Sequence, residues 1–214
     1  MPPVPPPAKR RGRAVRRAGT AATGAAIAAG YAVAGRLAPE RSARAAARLW
    51  CRLPRNRGRR MDNRPSPGEV TRLEVVPGRS LAVEAWGPAD GPLVYLNHAW
   101  GGWRGQVASF VAPLVRAGCR VIAADCLSHG DADPGRHGPG YSSGGEMVRS
   151  LEALVRHYGP ARAAIGHSLG CATTCLAAAH GALRAERLVL VAASPAMRRL
   201  AREHGRRLHL PSHV

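Results

Sequence analysis

The chain has 214 residues, room for one domain of ordinary size with irregular ends and not for two full ones. Its hydrophobic content is aliphatic and Ala-rich, with one Phe, four Tyr and four Trp, and 32 Lys+Arg against 13 Asp+Glu give a formal charge of +19. Such a charge suggests nucleic acid or anionic membrane, but it belongs to the ends. Residues 1–60 hold 15 basic residues and one acid (Glu40), residues 198–214 hold five Arg and one acid (Glu203), and residues 61–197 hold 12 Arg and 11 acids. A near-neutral middle argues against a groove-tracking nucleic-acid binder, whose charge would lie on its folded surface. Cys51, Cys119, Cys126, Cys171 and Cys175 are odd in number and form no CxxC pair. They read as reduced, small apolar packing residues of a cytoplasmic protein, with no metal site or disulfide framework expected.

From the start of the chain, Met1–Pro7 is a Pro-rich leader and Lys9–Arg17 a basic run, and both read as a disordered arm. Ala18–Gly35 lacks charge and has the outline of a signal peptide, yet Ile27, Tyr31 and Val33 are its only sizeable apolar side chains. Export or membrane anchoring and a plain surface helix or arm both remain open readings. Residues 36–53 fit an amphipathic helix beginning at Pro39, able to lie on acidic lipid or to pack on the domain behind it. Pro54–Gly68 reads as a linker, which makes residues 1–68 a basic arm and 69–214 the folded domain.

Within that domain, Val70–Val76 and Ser80–Trp86 alternate around Pro77-Gly78 and predict a hairpin. Pro92–Asn97 and Arg120–Asp125 are solid apolar runs suited to strands buried on both faces, with a helix over Val107–Ala117 between them, stopped by Gly118. Ser143 and Glu146 predict a capping box for a helix running to Tyr158. A strand over Ala161–His167, a helix over Leu169–His180, a strand over Arg187–Ala193 and a helix over about Pro195–Arg207 complete the pattern. The alternation predicts an α/β fold, a mostly parallel sheet with helices on both faces and the hairpin adding antiparallel edge strands.

Gly166-His167-Ser168-Leu169-Gly170 falls where a buried strand ends and a helix begins, the context in which G-x-S-x-G lifts a serine hydroxyl to the open end of a sheet. The Leu169 N–H then points toward the helix N-terminus, where developing negative charge is stabilised. The plainer reading is that Ser168 merely caps the helix and Gly170 permits close packing. His98-Ala99-Trp100-Gly101-Gly102 follows the earlier buried strand, in the place of a second oxyanion donor.

With these two motifs, residues 70–200 resemble an α/β-hydrolase. The resemblance implies Ser168 as nucleophile, the N–H groups of Trp100 and Leu169 as oxyanion hole, and His98 as an orienting residue. It also implies that Asp125, Ser128, His129 and Gly130 belong to the loop shaping the floor of the site. This chain has Ala99 and Ser128 where the family usually has Gly. The resemblance further implies about eight strands, with an acid and a His on loops after the later ones. Six strands are predicted here, so the chain is expected to be a C-terminally truncated form with its triad acid and base unassigned. His98, His129, His167 and the C-terminal Glu203, His204, His209 and His213 are the candidates left. The expected activity is serine hydrolysis of an ester or amide without metal or cofactor, with Trp100, Trp103 and Met197 either lining an acyl pocket or filling the core. A non-catalytic hydrolase-like protein and a membrane-associated protein using the basic arm are the other readings, and nucleic acid is not expected as a partner.

Overall fold

The computed structural model describes residues 10–54, 61–193, 202–204 and 206–208, with side chains from Thr23 onward. It divides into two units, one comprising Met1–Trp50 with Arg198–Val214 and the other Cys51–Met197. Met1–Lys9 lies outside the described residues, as do Met197, His209 and His213. Among the described residues no helix is long and apolar enough to cross a membrane.

In the first unit, Arg10–Leu37 is one helix, α1, and Pro39–Trp50 a second, α2. The basic run is therefore helical from Arg10, where a disordered arm was expected. Consecutive Ala residues lose no side-chain entropy in a helix, and Pro39 occupies the first helical position, where its missing N–H costs nothing. Ala28, Ser42 and Ala46 are buried, so this unit packs through small residues. Residues 202–204 and 206–207 are helical, and the His204 ring meets Trp50 edge-on at 5.0 Å.

The second unit is a six-stranded sheet in the order β1-β2-β4-β3-β5-β6. Its strands are β1 (Glu69–Val76), β2 (Arg79–Trp86), β3 (Leu93–Asn97), β4 (Arg120–Asp125), β5 (Ala161–His167) and β6 (Ala185–Val191). β1 and β2 form the expected hairpin, turned at Gly78 with φ +73°, and β2 runs antiparallel to β4. The pairs β3/β4, β3/β5 and β5/β6 are parallel. Side-chain alternation along these strands builds two cores. Tyr95, Ile122 and Ala124 pack with Val148, Leu151 and Leu154 of α4 (Gly144–Tyr158) on one face. Val94, Leu96, Val121 and Ala123 pack with Val111 of α3 (Val111–Arg116) on the other. The helix α5 (Leu169–Ala179) follows β5 directly.

Three local expectations are corrected. The segment Val107–Ala117 is not one helix: 3-10 turns at Arg104–Gln106 and Ala108–Phe110 precede the short α3. Of the predicted linker, residues 61–68 are bonded to the body, since Asn63 N–H donates to Gly105 O at 2.9 Å and Gly68 N–H to Glu84 Oε1 at 2.9 Å. The cap at Ser143 forms, accepting from Glu146 N–H at 3.2 Å, but the buried Glu146 carboxylate does not close a capping box. It accepts from Arg136 N–H at 2.6 Å and so ties down the loop before α4.

Candidate active site

β3 connects to a strand on one side of it while β5 lies on the other, so the crevice beyond the C-terminal ends of β3 and β5 is the topological switch point of the sheet, where open α/β sheets bind ligands. Both predicted motifs leave the sheet there, and Asn97 pairs with Gly166 across the last rung of that ladder.

Ser168 sits between β5 and α5 with φ 53° and ψ −115°. For a side chain with a Cβ this is a strained conformation that persists only where the surroundings impose it, at a cost of about 1–3 kcal/mol. Its side chain makes no cap hydrogen bond, so the plain helix-capping reading does not describe it. The turn is held by backbone bonds, Ser168 N–H donating to Val191 O at the end of β6 at 2.9 Å and Cys171 N–H to Ser168 O at 3.1 Å. The flanking glycines are required by close approach. A Cβ on Gly166 would lie 2.7 Å from Gly170 O, and one on Gly170 would lie 2.5 Å from Asn97 O and 2.6 Å from His98 O. The first turn of α5 therefore packs backbone on backbone against the end of β3, at Asn97 and His98. Cys171 contributes more than apolar packing here, its thiol donating toward Gly166 O at 3.0 Å.

The loop after β3 is held by two buried side chains. Asn97 Nδ2 donates to Gly170 O at 3.1 Å, Thr173 Oγ1 at 2.8 Å and Thr174 Oγ1 at 3.2 Å, lashing β3 to α5. His98 is fully buried, its Nε2 accepting from Cys126 N–H at 3.1 Å while Nδ1 lies 2.8 Å from Ala99 O. An Nε2 that accepts from an amide fixes the tautomer with the proton on Nδ1. Burial holds this imidazole neutral, pushed down to about 4. With both nitrogens engaged, His98 is not free to take a proton from Ser168; it joins the loops after β3 and β4. Ala99 has no positive φ, and the left-handed position falls to Gly101 at φ +66°, so Ala in place of the family's Gly is accommodated.

β4 ends at Asp125, fully buried, which accepts from the backbone N–H groups of Arg104 at 2.6 Å and Asp131 at 2.8 Å and pairs with the Arg104 guanidinium. Arg104 also binds Glu84 at 2.7 Å and Asp131 at 3.1 Å, and Arg64 reaches Glu84 at 3.3 Å. Burial raises the Asp125 carboxyl, opposed by the Arg104 charge. Ser128 takes the left-handed conformation at φ 67° that a Gly would have taken, and its Oγ accepts from Gly135 N–H at 2.8 Å. His129 is buried against Trp100, rings 5.6 Å apart edge-on, and against His98 at 4.9 Å. Burial, then the His98 neighbour, holds it neutral, down to about 3. Trp103 is buried, donates Nε1–H to Met61 O at 3.2 Å and carries the Arg64 guanidinium over its ring at 4.9 Å. It is core, not pocket lining.

The sequence reading missed Asn97, Arg104 and Glu84. Glu84 alone carried a signal, an acid at an inward position of a strand whose neighbours are all apolar. The His167 ring sits at the end of β5 with a buried, unpartnered Nδ1. Among the described residues no histidine or carboxylate is hydrogen-bonded to the Ser168 hydroxyl.

The sequence over residues 92–210 matches the family described as the alpha/beta hydrolase fold. The chain belongs to the α/β hydrolase fold family. Solved structures of similar fold include a thioesterase domain from the curacin biosynthetic pathway, at 20% identity over 64% of this chain and 52% of that one with a TM-score of 0.53. A hydrolase from Pseudomonas aeruginosa PA01 matches at 26% identity over 60% and 47%, TM-score 0.51, and an esterase from Exiguobacterium antarcticum at 20% over 58% and 46%, TM-score 0.51. No curated protein matches the chain. The chain spans about half the length of the solved α/β hydrolases it matches, and the family includes esterases and other hydrolases.

Proposed function

We propose that this α/β hydrolase carries the nucleophile and oxyanion half of a serine hydrolase site. Ser168 Oγ attacks the carbonyl carbon of an ester or amide, and the N–H groups of Leu169 and Trp100 bind the oxygen that becomes negative. Collapse of the tetrahedral intermediate expels the alcohol or amine with a proton and leaves an acyl group on Ser168. Water then attacks the acyl carbon, releasing the acid and restoring the hydroxyl. No metal or cofactor is assigned to the reaction. The observation that carries the reading is the imposed conformation at Ser168, a strained residue with an uncapped side chain at the sheet's switch point. His98, His129 and Asp125 are positioning residues that shape the oxyanion loop, and Gly166, His167 and Gly170 form the elbow itself. The proton acceptor for Ser168 is assigned to none of the described residues.

A p-nitrophenyl acetate assay tests this. Turnover by the full chain that is lost in Ser168→Ala, with the melt unchanged, supports it; equal turnover by both proteins contradicts it. The second reading, a hydrolase-like protein without catalysis, is favoured by the Ser168 hydroxyl having no hydrogen-bonded histidine among the described residues. It predicts no Ser168-dependent turnover with any ester.

A further inference from the structure

The unit built on α1 and α2 has a composition that hydrolysis does not require. Arginine coding bias alone does not explain it, because 15 basic residues and one acid fall in residues 1–60 while 12 Arg and 11 acids fall in residues 61–197. What separates the regions is the scarcity of acids as much as the density of arginine.

The exposure of α1 is the reverse of what a solvated helix shows. At about 100° per residue, Ala28 and Gly35 share one side of α1 and both are buried. Ala26, Ala29, Val33 and Leu37 follow one another along the other side, and all four are exposed, Val33 at 57% and Leu37 at 81%. A helix packed on one side is expected to turn polar residues outward on the other; this one turns out an uncharged, partly apolar band. By sequence its first two turns hold Arg10, Arg11, Arg13, Arg16 and Arg17, and Arg36 stands at its far end. An apolar band on a helix whose sequence carries cations toward both ends matches the composition of a helix lying in a lipid interface, with the band at the acyl boundary. The helix is not apolar enough to cross, so it would lie on the surface. Aliphatic side chains exposed between the charges favour lipid over nucleic acid, whose binders combine cations with aromatic or hydrogen-bonding groups.

We propose that α1 docks this protein on anionic lipid surfaces, with Ala26, Ala29, Val33 and Leu37 facing the membrane and the net positive charge of the helix supplying the attraction to its phosphates. The band is small, so apolar burial alone does not hold the protein there, and anionic lipid is the required second signal.

The test is flotation of the full chain with vesicles of phosphatidylcholine alone and of phosphatidylcholine with about 30 mol % phosphatidylserine. Expected is retention by the anionic vesicles only, abolished by about 0.5 M salt. Val33→Ser/Leu37→Ser, at exposed positions and so without effect on the melt, lowers retention roughly ten-fold. Arg11→Gln/Arg16→Gln/Arg36→Gln, at the positions that helical periodicity sets beside the band, lowers it about a hundred-fold, at about five-fold per charge. The proposal is overturned if neutral vesicles retain the chain equally, or if the serine variant floats as the parent does. It is also overturned if neither vesicle retains the chain, or if duplex DNA binds it more tightly than anionic vesicles and the serine variant leaves that binding unchanged.

Discussion

The two sides of the sheet are built on different principles. On the β2–β4 side, β2 is buried along nearly its whole length, and Glu84, Arg104 and Asp125 form a buried ionic cluster that also fixes the loops after β3 and β4. On the β6 side, Leu188, Val189 and Leu190 are each more than 40% exposed, and the ion pairs, Glu186 with Arg162 at 3.0 Å and with Arg187 at 3.5 Å, lie at the surface. Ser168 stands between them, its strained turn bonded on one flank to β3 and on the other to the end of β6. The precision of the site resides on the dry, interlocked side, which supplies its positioning groups.

The largest contrast should come from the ion pairs. Arg104→Met leaves Asp125 buried without its guanidinium partner and Glu84 with only the longer Arg64 contact, and should cost about 3–5 kcal/mol in urea unfolding, whereas Glu186→Gln should leave the melt within its scatter. Equal effects would erase the distinction between the two sides. Next is acid sensitivity. His98 and His129 are pushed down to about 4 and about 3, below the unfolded value near 6.5. Above pH 6.5 both states are neutral; as pH falls below it, the unfolded chain takes protons the folded chain refuses, so stability falls. The slope is about 1.4 kcal/mol per pH unit for each imidazole, and His129→Gln should remove about half of it between pH 6.5 and 5. An unchanged slope would mean that His129 is not held neutral.

Gly170→Ala forces a methyl to within 2.5 Å of Asn97 O and should cost about 1–3 kcal/mol. Because that methyl would part α5 from β3, it should also lower any Ser168-dependent turnover more than the loss of fold explains, read as kcat at a temperature where the variant is fully folded. The smallest effect belongs to the exposed strand. Leu190→Lys should leave stability nearly unchanged while raising the concentration at which the protein aggregates, as charges on an edge do; a large drop in the melt would show Leu190 to be covered.

Much of the fold is legible in the sequence. The hairpin, the buried strands and the elbow each rest on a local rule, namely period-two alternation, an apolar run, and a glycine on either side of Ser168 where strand gives way to helix. What escaped depends on long-range partners. Residues 61–68 have the composition of a linker, and nothing local marks that Asn63 and Gly68 have partners in Gly105 and Glu84. Arg104 lies in a stretch that reads as the approach to a helix, yet it is the cation on which Glu84 and Asp125 converge. Trp103 reads equally as pocket or core in the sequence, and its burial under the Arg64 guanidinium makes it core. The helix from Arg10 was hidden by its charge, since a run of arginines reads as an arm unless the alanines beyond it are weighed as helix formers.

A serine hydrolase site at the end of β5 requires one reactive hydroxyl, and covalent capture measures it directly. The full chain, incubated with a fluorophosphonate and digested, is predicted to carry a single phosphonyl adduct on the peptide containing Ser168, absent from Ser168→Ala and from heat-unfolded protein. An adduct on another residue, or none on the folded chain, would contradict the assignment of Ser168 as nucleophile.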